Sequence, residues 1–344
     1  IVKLISFADA GSDFLFTSFI PEVGYDQALI NFAFRALPVI IFFSSLIAAT
    51  YHLGVIQIII KNIAKVMEKT MKTSGAETLS ISANIFVGQT EAPILIRPYI
   101  SKMTNSELMT VMVGGFSTVA GSVMALYVTW LNNIPEIAGH LLAASVMSAP
   151  AALMVAKIIY PETKSYQIIN SNSIKLKSQD NNLVDAIGRG ATDGLKLAAN
   201  VAAMLIAFIS LVAMINFILS LLGTSMQEML GLLFKPLAWT MGIPWADAKI
   251  VGTLMGEKIV LTELIAFRDL SDYVSNNTIS ERSVIIASYA LCGFANFGSI
   301  GIQLGGIGSM APKRKKDLSK LVFKAMLGGA IASWLTASIV GILI

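Results

Sequence analysis

Long apolar stretches separated by short polar ones dominate this chain. A helix needs roughly 20 apolar residues to cross ~30 Å of hydrocarbon, and several stretches reach that length. They lie near 33–60, 108–131, 139–160, 198–222, 283–310 and 318–344. Of all residues, 55% are hydrophobic and 13% are charged, whereas a soluble domain is about 25% charged. The pattern predicts an all-α polytopic membrane protein.

Two further apolar segments, 73–101 and 241–281, are interrupted by polar residues and are too short to span twice as full helices. The basic run at 313–316 places its loop in the cytoplasm by the positive-inside rule. Counting back puts the polar loop 161–184 inside and the loop 132–138 outside. This alternation requires each interrupted segment to enter and leave on one side. We therefore predict two re-entrant hairpins, the first from inside and the second from outside, surrounded by protein or a water-filled cavity.

Each predicted hairpin follows an interfacial helix and precedes a long apolar stretch. These helices are 61–72, where lysines recur at helical spacing, and 224–240. An inverted repeat with interrupted segments in matching positions is typical of a secondary transporter with its site near the midplane. The regions that we predict are 1–60 with the first visible span, 61–131 and 241–344 with the hairpins, 132–197 with a span and a cytoplasmic loop, and 198–240 with a span and an external interfacial helix.

Polar clusters occur within three apolar segments, at 84–91, 256–263 and 292–299. Each combines glycine, which lets the backbone unwind, with side chains that form hydrogen bonds. Unwinding frees backbone groups that need partners, and an ion and a polar substrate would supply them. The alternative is hydrogen bonding between packed helices, worth about 0.6 kcal/mol each, which we favour for a single Asn or Thr. Glu91 and Glu263 are predicted to be functional, because ionisable residues inside a membrane are costly.

Charge and single residues exclude several other classes of protein. The net charge is +4, and we interpret the basic residues as topology signals, with no nucleic-acid partner. The single Cys292 excludes an internal disulfide. His52 and His140 lack metal-ligand spacing, and no hydrolase motif occurs, so we expect no enzyme. The chain begins with Ile1 and has no signal peptide, so we expect further residues to precede it.

Three motifs resemble those of the concentrative nucleoside transporter family. They are GQTEAPILIRPYI at 88–100, GEKIVLTELIAF at 256–267 and CGFANFGSIGIQLGGIGSMAP at 292–312. They occur in the family's order, and the similarity covers nearly the whole chain. The resemblance implies a homotrimer in the bilayer of the bacterial inner membrane, with 1–60 and 198–240 in a scaffold and 61–131 and 241–344 in a mobile transport domain. It also implies Na⁺-coupled import of nucleosides such as uridine, cytidine or adenosine by an elevator-type mechanism, and two additional N-terminal spans in bacterial members.

The resemblance further implies roles for individual residues. Those expected to recognise the base are Gln89, Thr90, Glu91 and Val123. Those expected at the ribose and the pocket wall are Glu263, Phe294, Asn296 and Ser299. Those expected to bind Na⁺ are Asn84, Val87 through its carbonyl, Thr118 through its hydroxyl and Val119 through its carbonyl. These residue types suit the roles, because amide, hydroxyl and carboxylate groups match a base edge and ribose hydroxyls and oxygen ligands match a hard cation.

Two departures from the family's second motif leave questions open. Thr262 stands where the family has Asn, so contacts with ribose or within the hairpin are in doubt there. Glu257 is an additional carboxylate beside Lys258, which we expect to be solvated or paired with that lysine rather than to contact substrate. A proton-coupled carrier or a nucleobase carrier of the same fold is the alternative function. A channel or an intramembrane enzyme is the competitor from another class.

Overall fold

The computed structural model describes residues 2–16, 37–163, 174 and 180–344, and every regular element in these ranges is a helix. Those of the first half are α1 (Val2–Phe16), α2 (Leu37–His52), α3 (Val55–Met71), α4 (Gly75–Asn84), a 3-10 helix (Ala92–Ile96), α5 (Arg97–Ile100), α6 (Asn105–Ser117), α7 (Gly121–Trp130) and α8 (Ile137–Ile159). Those of the second half are α9 (Leu183–Ser220), α10 (Met226–Thr240), α11 (Ala248–Val260), α12 (Glu263–Ser275), α13 (Glu281–Leu291), α14 (Phe297–Met310), a 3-10 helix (Pro312–Arg314) and α15 (Lys315–Leu343).

Three helical stretches among the described residues are long and apolar enough to cross a membrane. They are Asn105–Trp130, Ile137–Ile159 and Pro312–Leu343. The pair α2 and α3 passes the same test together but is bent by 76° at its break. The chain is therefore a multi-pass membrane protein, as its composition predicts.

The same order of elements occurs twice. In the first unit, α3 precedes the helical pair α4 and α5, which precedes the broken helix formed by α6 and α7. In the second unit, α10 precedes the pair α11 and α12, which precedes the broken helix formed by α13 and α14. In the first pair, the two helices are joined by residues 85–96, which include the 3-10 helix Ala92–Ile96; in the second pair, they are joined by the non-helical residues 261–262. That the hairpins are re-entrant, and the units inverted, stays a prediction.

The predicted C-terminal boundary of the span 33–60 is wrong. Helix α2 stops at His52, and Gly54 adopts a left-handed conformation with φ of 83°, which glycine reaches at little cost. The chain turns there, so the amphipathic helix begins at Val55 and not at residue 61. Hydrophobicity alone joined the two because the apolar run continues through the turn. Residues 33–36 lie outside the described residues.

Two other predicted boundaries need correction. The stretch 108–131 is divided, because residues 118–120 are extended between α6 and α7. Helix α9 begins at Leu183, 15 residues before the predicted start at residue 198. Its start is capped by the side chain of Asn182, which accepts a hydrogen bond from the Asp185 amide. The rest of the predicted loop 161–184 lies largely outside the described residues.

The first hairpin is fixed at its start by paired polar groups. The backbone amide of Ser74 donates to Glu77 Oε1 at 3.0 Å at the beginning of α4. The buried carboxylate of Glu77 also pairs with Lys157 of α8 at 2.7 Å. This pair joins the hairpin to α8, which in turn packs against α6 and α15. The start of the first hairpin is thereby held against α8.

Candidate functional site

The two broken helices cross at their breaks. Gly293 follows α13 with φ of 141°, and a Cβ there would lie 2.8 Å from the carbonyl oxygen of Phe116, so only glycine fits this close approach. The amide of Phe294 donates to the carbonyl of Thr118, in the other break, at 3.3 Å. The turn of the first hairpin lies on the same break, because the Gly121 amide donates to the Phe86 carbonyl at 3.1 Å. Three unwound segments therefore meet at one place.

A hydrogen-bond network begins in the first hairpin and crosses to α14. The side-chain nitrogen Nε2 of Gln89 donates to Ser299 Oγ at 3.1 Å. The backbone amide of Ser299 donates to Asn296 Oδ1 at 2.8 Å, and this contact caps α14. All three side chains are buried. Residues 210 positions apart in sequence therefore share one polar cluster.

The network continues into the second hairpin. Asn296 Nδ2 donates to Glu263 Oε2 at 2.9 Å, and Tyr127 Oη donates to Glu263 Oε1 at 3.2 Å. The ring of Tyr127 stacks on Phe267, with centroids 4.0 Å apart and planes 15° apart. Each carboxylate oxygen of Glu263 thus has one protein donor and retains further acceptor capacity. The arrangement suits a ligand that presents hydroxyl donors.

The other residues predicted at the substrate surround this network. Val123 is buried in the large apolar cluster, against which the half-buried Phe294 packs. Thr90 lies against α14, since a Cβ at Gly306 would be 2.9 Å from its methyl carbon. Glu91 is exposed and accepts a hydrogen bond from the amide of Gly88 in its own turn at 3.2 Å. The hydrogen bonds found among the described residues therefore place Gln89 in the network, but not Glu91.

The predicted sodium ligands flank the same break on the side of the first hairpin. Asn84 is 0% exposed, and neither polar atom of its amide has a hydrogen-bond partner among the described residues. Its Nδ2 would lie 3.5 Å from a Cβ at Gly114. The hydroxyl of Thr118 donates to the carbonyl of that same glycine at 3.0 Å, which leaves the oxygen's lone pairs available. A buried acceptor without a partner is costly, and a cation would provide a partner for Asn84 Oδ1.

The remaining predicted ligands lie on the two segments that meet at this point. Val87 is in the hairpin turn and Val119 is in the extended break, and both are buried. Such segments carry backbone carbonyls that no helix occupies. No group of three or more His, Cys, Asp or Glu side chains suited to a metal occurs in the part of the chain that the structure describes. The amide, hydroxyl and carbonyl oxygens of the four predicted ligands are neutral, which suits a monovalent hard cation.

The two departures in the second motif have structural explanations. Thr262 caps α12, accepting a hydrogen bond from the Ile265 amide at 3.4 Å, a role that Thr and Asn share. The expectation that Glu257 is solvated or paired with Lys258 is wrong, since both are buried. Neighbouring helical residues do not face each other. Lys258 donates instead to the carbonyl of Ala290 at 2.9 Å and to Ser333 Oγ at 3.2 Å.

Sequence reasoning missed two members of this network, Tyr127 and Gln303. Gln303 is fully buried on α14 and donates to Gln89 Oε1 at 3.1 Å. The available signal was polarity, because each residue is an isolated hydrogen-bonding side chain in an apolar run. Their partners lie far away in sequence, so the signal identifies a candidate but not a contact.

Two family models cover most of the chain. One, described as the C-terminus of Na⁺ dependent nucleoside transporters, matches residues 140–341. The other, described as nucleoside recognition, matches residues 33–133. The hairpins and both broken helices lie within these two matches.

Curated proteins of similar sequence come from animals and bacteria. Sodium/nucleoside cotransporter 1 of Rattus norvegicus is 43% identical over 98% of this chain and 54% of its own length. The chain thus spans about half the length of the mammalian relatives. The uncharacterized transporter YutK of Bacillus subtilis is 42% identical over 99% of this chain and 84% of its own length.

Solved structures of similar fold include several states of one protein. CNTnw in an inward-facing substrate-bound state superposes with a TM-score of 0.89, at 42% identity, over 99% of this chain and 82% of that chain. A variant of CNTnw in an intermediate state gives a TM-score of 0.90 at 41% identity, and a variant in an outward-facing state gives 0.89 at 41% identity.

Proposed function

Because this chain belongs to the concentrative, Na⁺-dependent nucleoside transporter family, we propose that it carries nucleosides across a membrane together with Na⁺. The observation that supports this most strongly is the network from Gln89 through Ser299 and Asn296 to Glu263. It joins both hairpins through α14 and offers donors and acceptors within a buried setting. A site that hydrogen-bonds its substrate rejects analogues that lack those groups, because its own groups would be left unpaired.

The proposed roles divide the site into a base end and a ribose end. At the base end, Gln89, Thr90 and Glu91 would contact the base edge and Val123 its face. In this proposal Glu91 leaves its hydrogen bond with Gly88 when substrate binds. At the ribose end, the residues that would contact the sugar are Glu263, Asn296 and Ser299, with Phe294 on the pocket wall.

We propose that Na⁺ and substrate are coupled because residues of both sites lie in the turn of the first hairpin. Asn84, Val87, Thr118 and Val119 would provide amide, hydroxyl and carbonyl oxygens. Val87 lies two residues before Gln89 in the same turn, so an ion that orders this turn would also order the base-binding amide. Because the four proposed ion ligands include no carboxylate, we favour Na⁺ over a proton at this position.

The available driving force is sufficient for accumulation. A roughly tenfold Na⁺ gradient is worth ~1.4 kcal/mol, and ~100 mV moves one charge with ~2.3 kcal/mol. Together these could concentrate a neutral nucleoside about 500-fold.

We further propose an elevator-type mechanism in a homotrimer, with import as the direction. The regions 61–131 and 241–344 would move as a transport domain against a scaffold that contains α2 and α9. Support comes from the relative CNTnw, which is solved in inward-facing, intermediate and outward-facing states. Cross-linking can report the membrane depth of the hairpins. The same depth in the substrate-loaded inward-facing and outward-facing states would contradict this motion.

Uptake of uridine into proteoliposomes tests the function. We expect saturable accumulation above equilibrium that depends on an inward Na⁺ gradient. Equal uptake with Na⁺ and with a proton gradient alone would favour the proton-coupled alternative. Competition by free bases that is as strong as competition by nucleosides would favour a nucleobase carrier. Equilibration that does not saturate with substrate would favour a channel.

A further inference from the structure

Gln303 is a buried amide that contacts Gln89 at the proposed base end. It lies on α14, one turn after Ser299, and is 0% exposed. Its Nε2 donates to the Met112 carbonyl at 3.1 Å and to Gln89 Oε1 at 3.1 Å. Both hydrogens of this nitrogen are therefore used.

The backbone carbonyl of Met112 determines the polarity of this contact. A carbonyl oxygen only accepts, so the nitrogen and not the oxygen of the Gln303 amide must face it. That same nitrogen faces Gln89, and hence the Gln89 atom opposite it must be Oε1. The Nε2 of Gln89 is thereby directed toward Ser299 Oγ, to which it donates at 3.1 Å. The Met112 carbonyl therefore fixes the orientation of the Gln303 amide, which in turn fixes the orientation of the Gln89 amide at the proposed base end.

We infer that Gln303 is a positioning residue that determines which class of nucleobase the transporter prefers, keto or amino. This inference rests on the proposed function. With its amide fixed, Gln89 offers one free N–H and one free lone pair at fixed places. Uridine presents a keto oxygen that accepts where cytidine presents an amino group that donates, so one fixed arrangement matches only one of them.

Without Gln303, the Gln89 amide is free to rotate by half a turn. Ser299 tolerates either orientation, because a hydroxyl both donates and accepts. The site would then present either polarity to the base. Loss of Gln303 should therefore weaken the preference between keto and amino nucleosides while leaving the proposed ribose contacts of Glu263 and Asn296 in place.

The two amides pack closely against Gly115 of α6. A Cβ at Gly115 of α6 would lie 2.7 Å from Gln303 Nε2 and 3.1 Å from Gln89 Cβ. Gly115→Ala should therefore displace the amide pair without removing a polar atom. It provides a second route to the same defect.

The test compares uptake of uridine and cytidine, each as kcat/KM, by the full chain in proteoliposomes. Gln303→Met preserves volume and removes the donor, and we expect it to move the ratio of the two values toward one by about tenfold. Gly115→Ala should move it in the same direction. The Na⁺ concentration for half-maximal uptake should stay unchanged in both variants.

Two matched controls separate this effect from loss of packing. Gln57→Met removes a buried amide that donates to the Tyr51 carbonyl, away from the site. Gly301→Ala adds a methyl group on α14 where nothing lies within 4 Å of the new Cβ. We expect both to retain the ratio of the unsubstituted chain.

A double substitution tests the route through Gln89. In a Gln89→Glu background the side chain can only accept, so rotation no longer changes what the base meets. Adding Gln303→Met there should leave the ratio unchanged. Absence of uptake by the unsubstituted chain would contradict the proposed function itself. Uptake with no preference between uridine and cytidine, or with a ratio unaltered by Gln303→Met and Gly115→Ala, would overturn only the inference about Gln303.

Discussion

Tyr127 Oη donates a hydrogen bond to Glu263 Oε1 at 3.2 Å, which connects the helix after the first hairpin to the tip of the second. The tyrosine ring is held in turn by its stack on Phe267. The carboxylate proposed to hold ribose is therefore oriented by a rigid side chain from the other repeat unit. This contact joins a side chain of the first repeat unit to a side chain of the second repeat unit within the site.

Removing the tyrosine hydroxyl should weaken nucleoside binding without unfolding the protein. A hydrogen bond to a charged group contributes about 1.5–3 kcal/mol, and we expect Tyr127→Phe to raise the KM for uridine by about tenfold. Tyr289→Phe is the matched control, since that hydroxyl contacts His140 outside the network. Equal KM values for the two variants would show that Tyr127 does not orient Glu263 for binding.

Substitution of the proposed ribose contacts should have a larger effect. Glu263→Gln replaces an acceptor-only group, and Asn296→Ala removes both its donor and its acceptor. We expect each to lower uridine affinity by at least about tenfold, measured by calorimetric titration in detergent. Thermal unfolding checks that the protein stays folded. Near-normal affinity in either variant would make the ribose assignment wrong.

Much of the helical layout follows from the sequence, because hydrophobic length and polar interruption act locally. The hairpin segments, the span at Ile137–Ile159 and the final helix were predicted close to their observed bounds. The break at 118–120 was not predicted, because the polar pair Ser117-Thr118 is short and the glycines on either side of it are common in membrane helices. The unwinding there accompanies contacts from Phe294 and from the hairpin turn, which are tertiary.

The candidate site divides in the same way. Glu263 is detectable as a carboxylate in an apolar run, and its assignment to ribose came from resemblance. The roles of Tyr127 and Gln303 depend on partners 136 and 214 residues away, and no local pattern encodes such a pairing. The early start of α9 was missed because its first turns carry exposed charges such as Arg189, which resemble a solvated loop in sequence.

The sodium requirement should depend on Asn84. Its buried amide has no partner among the described residues, so a cation at this position would gain a ligand at little cost elsewhere. We expect Asn84→Ala to raise the Na⁺ concentration for half-maximal uptake by about tenfold, while uridine KM at saturating Na⁺ changes little. Asn216→Ala, which alters an amide bonded to Gln227 on α10, should leave the Na⁺ dependence unaltered. Identical Na⁺ curves for the two variants would place the ion elsewhere.

Lys258 should prove structural although it lies in a family motif. Its ammonium group satisfies the Ala290 carbonyl and Ser333 Oγ near the end of α13. Lys258→Met would leave these buried acceptors without their donor, at a cost of about 1–3 kcal/mol. We expect a lower unfolding temperature in detergent, with the uridine to cytidine ratio retained. A changed ratio at an unchanged unfolding temperature would instead assign Lys258 to recognition.

We propose that the ion and the nucleoside bind to one connected site. The most direct measurement is calorimetric titration of uridine into the purified full chain at several Na⁺ concentrations, with choline replacing Na⁺. We predict that uridine affinity rises with Na⁺ until the ion site is filled, and that Asn84→Ala displaces this dependence to higher Na⁺. Uridine affinity that is the same in Na⁺ and in choline would contradict it.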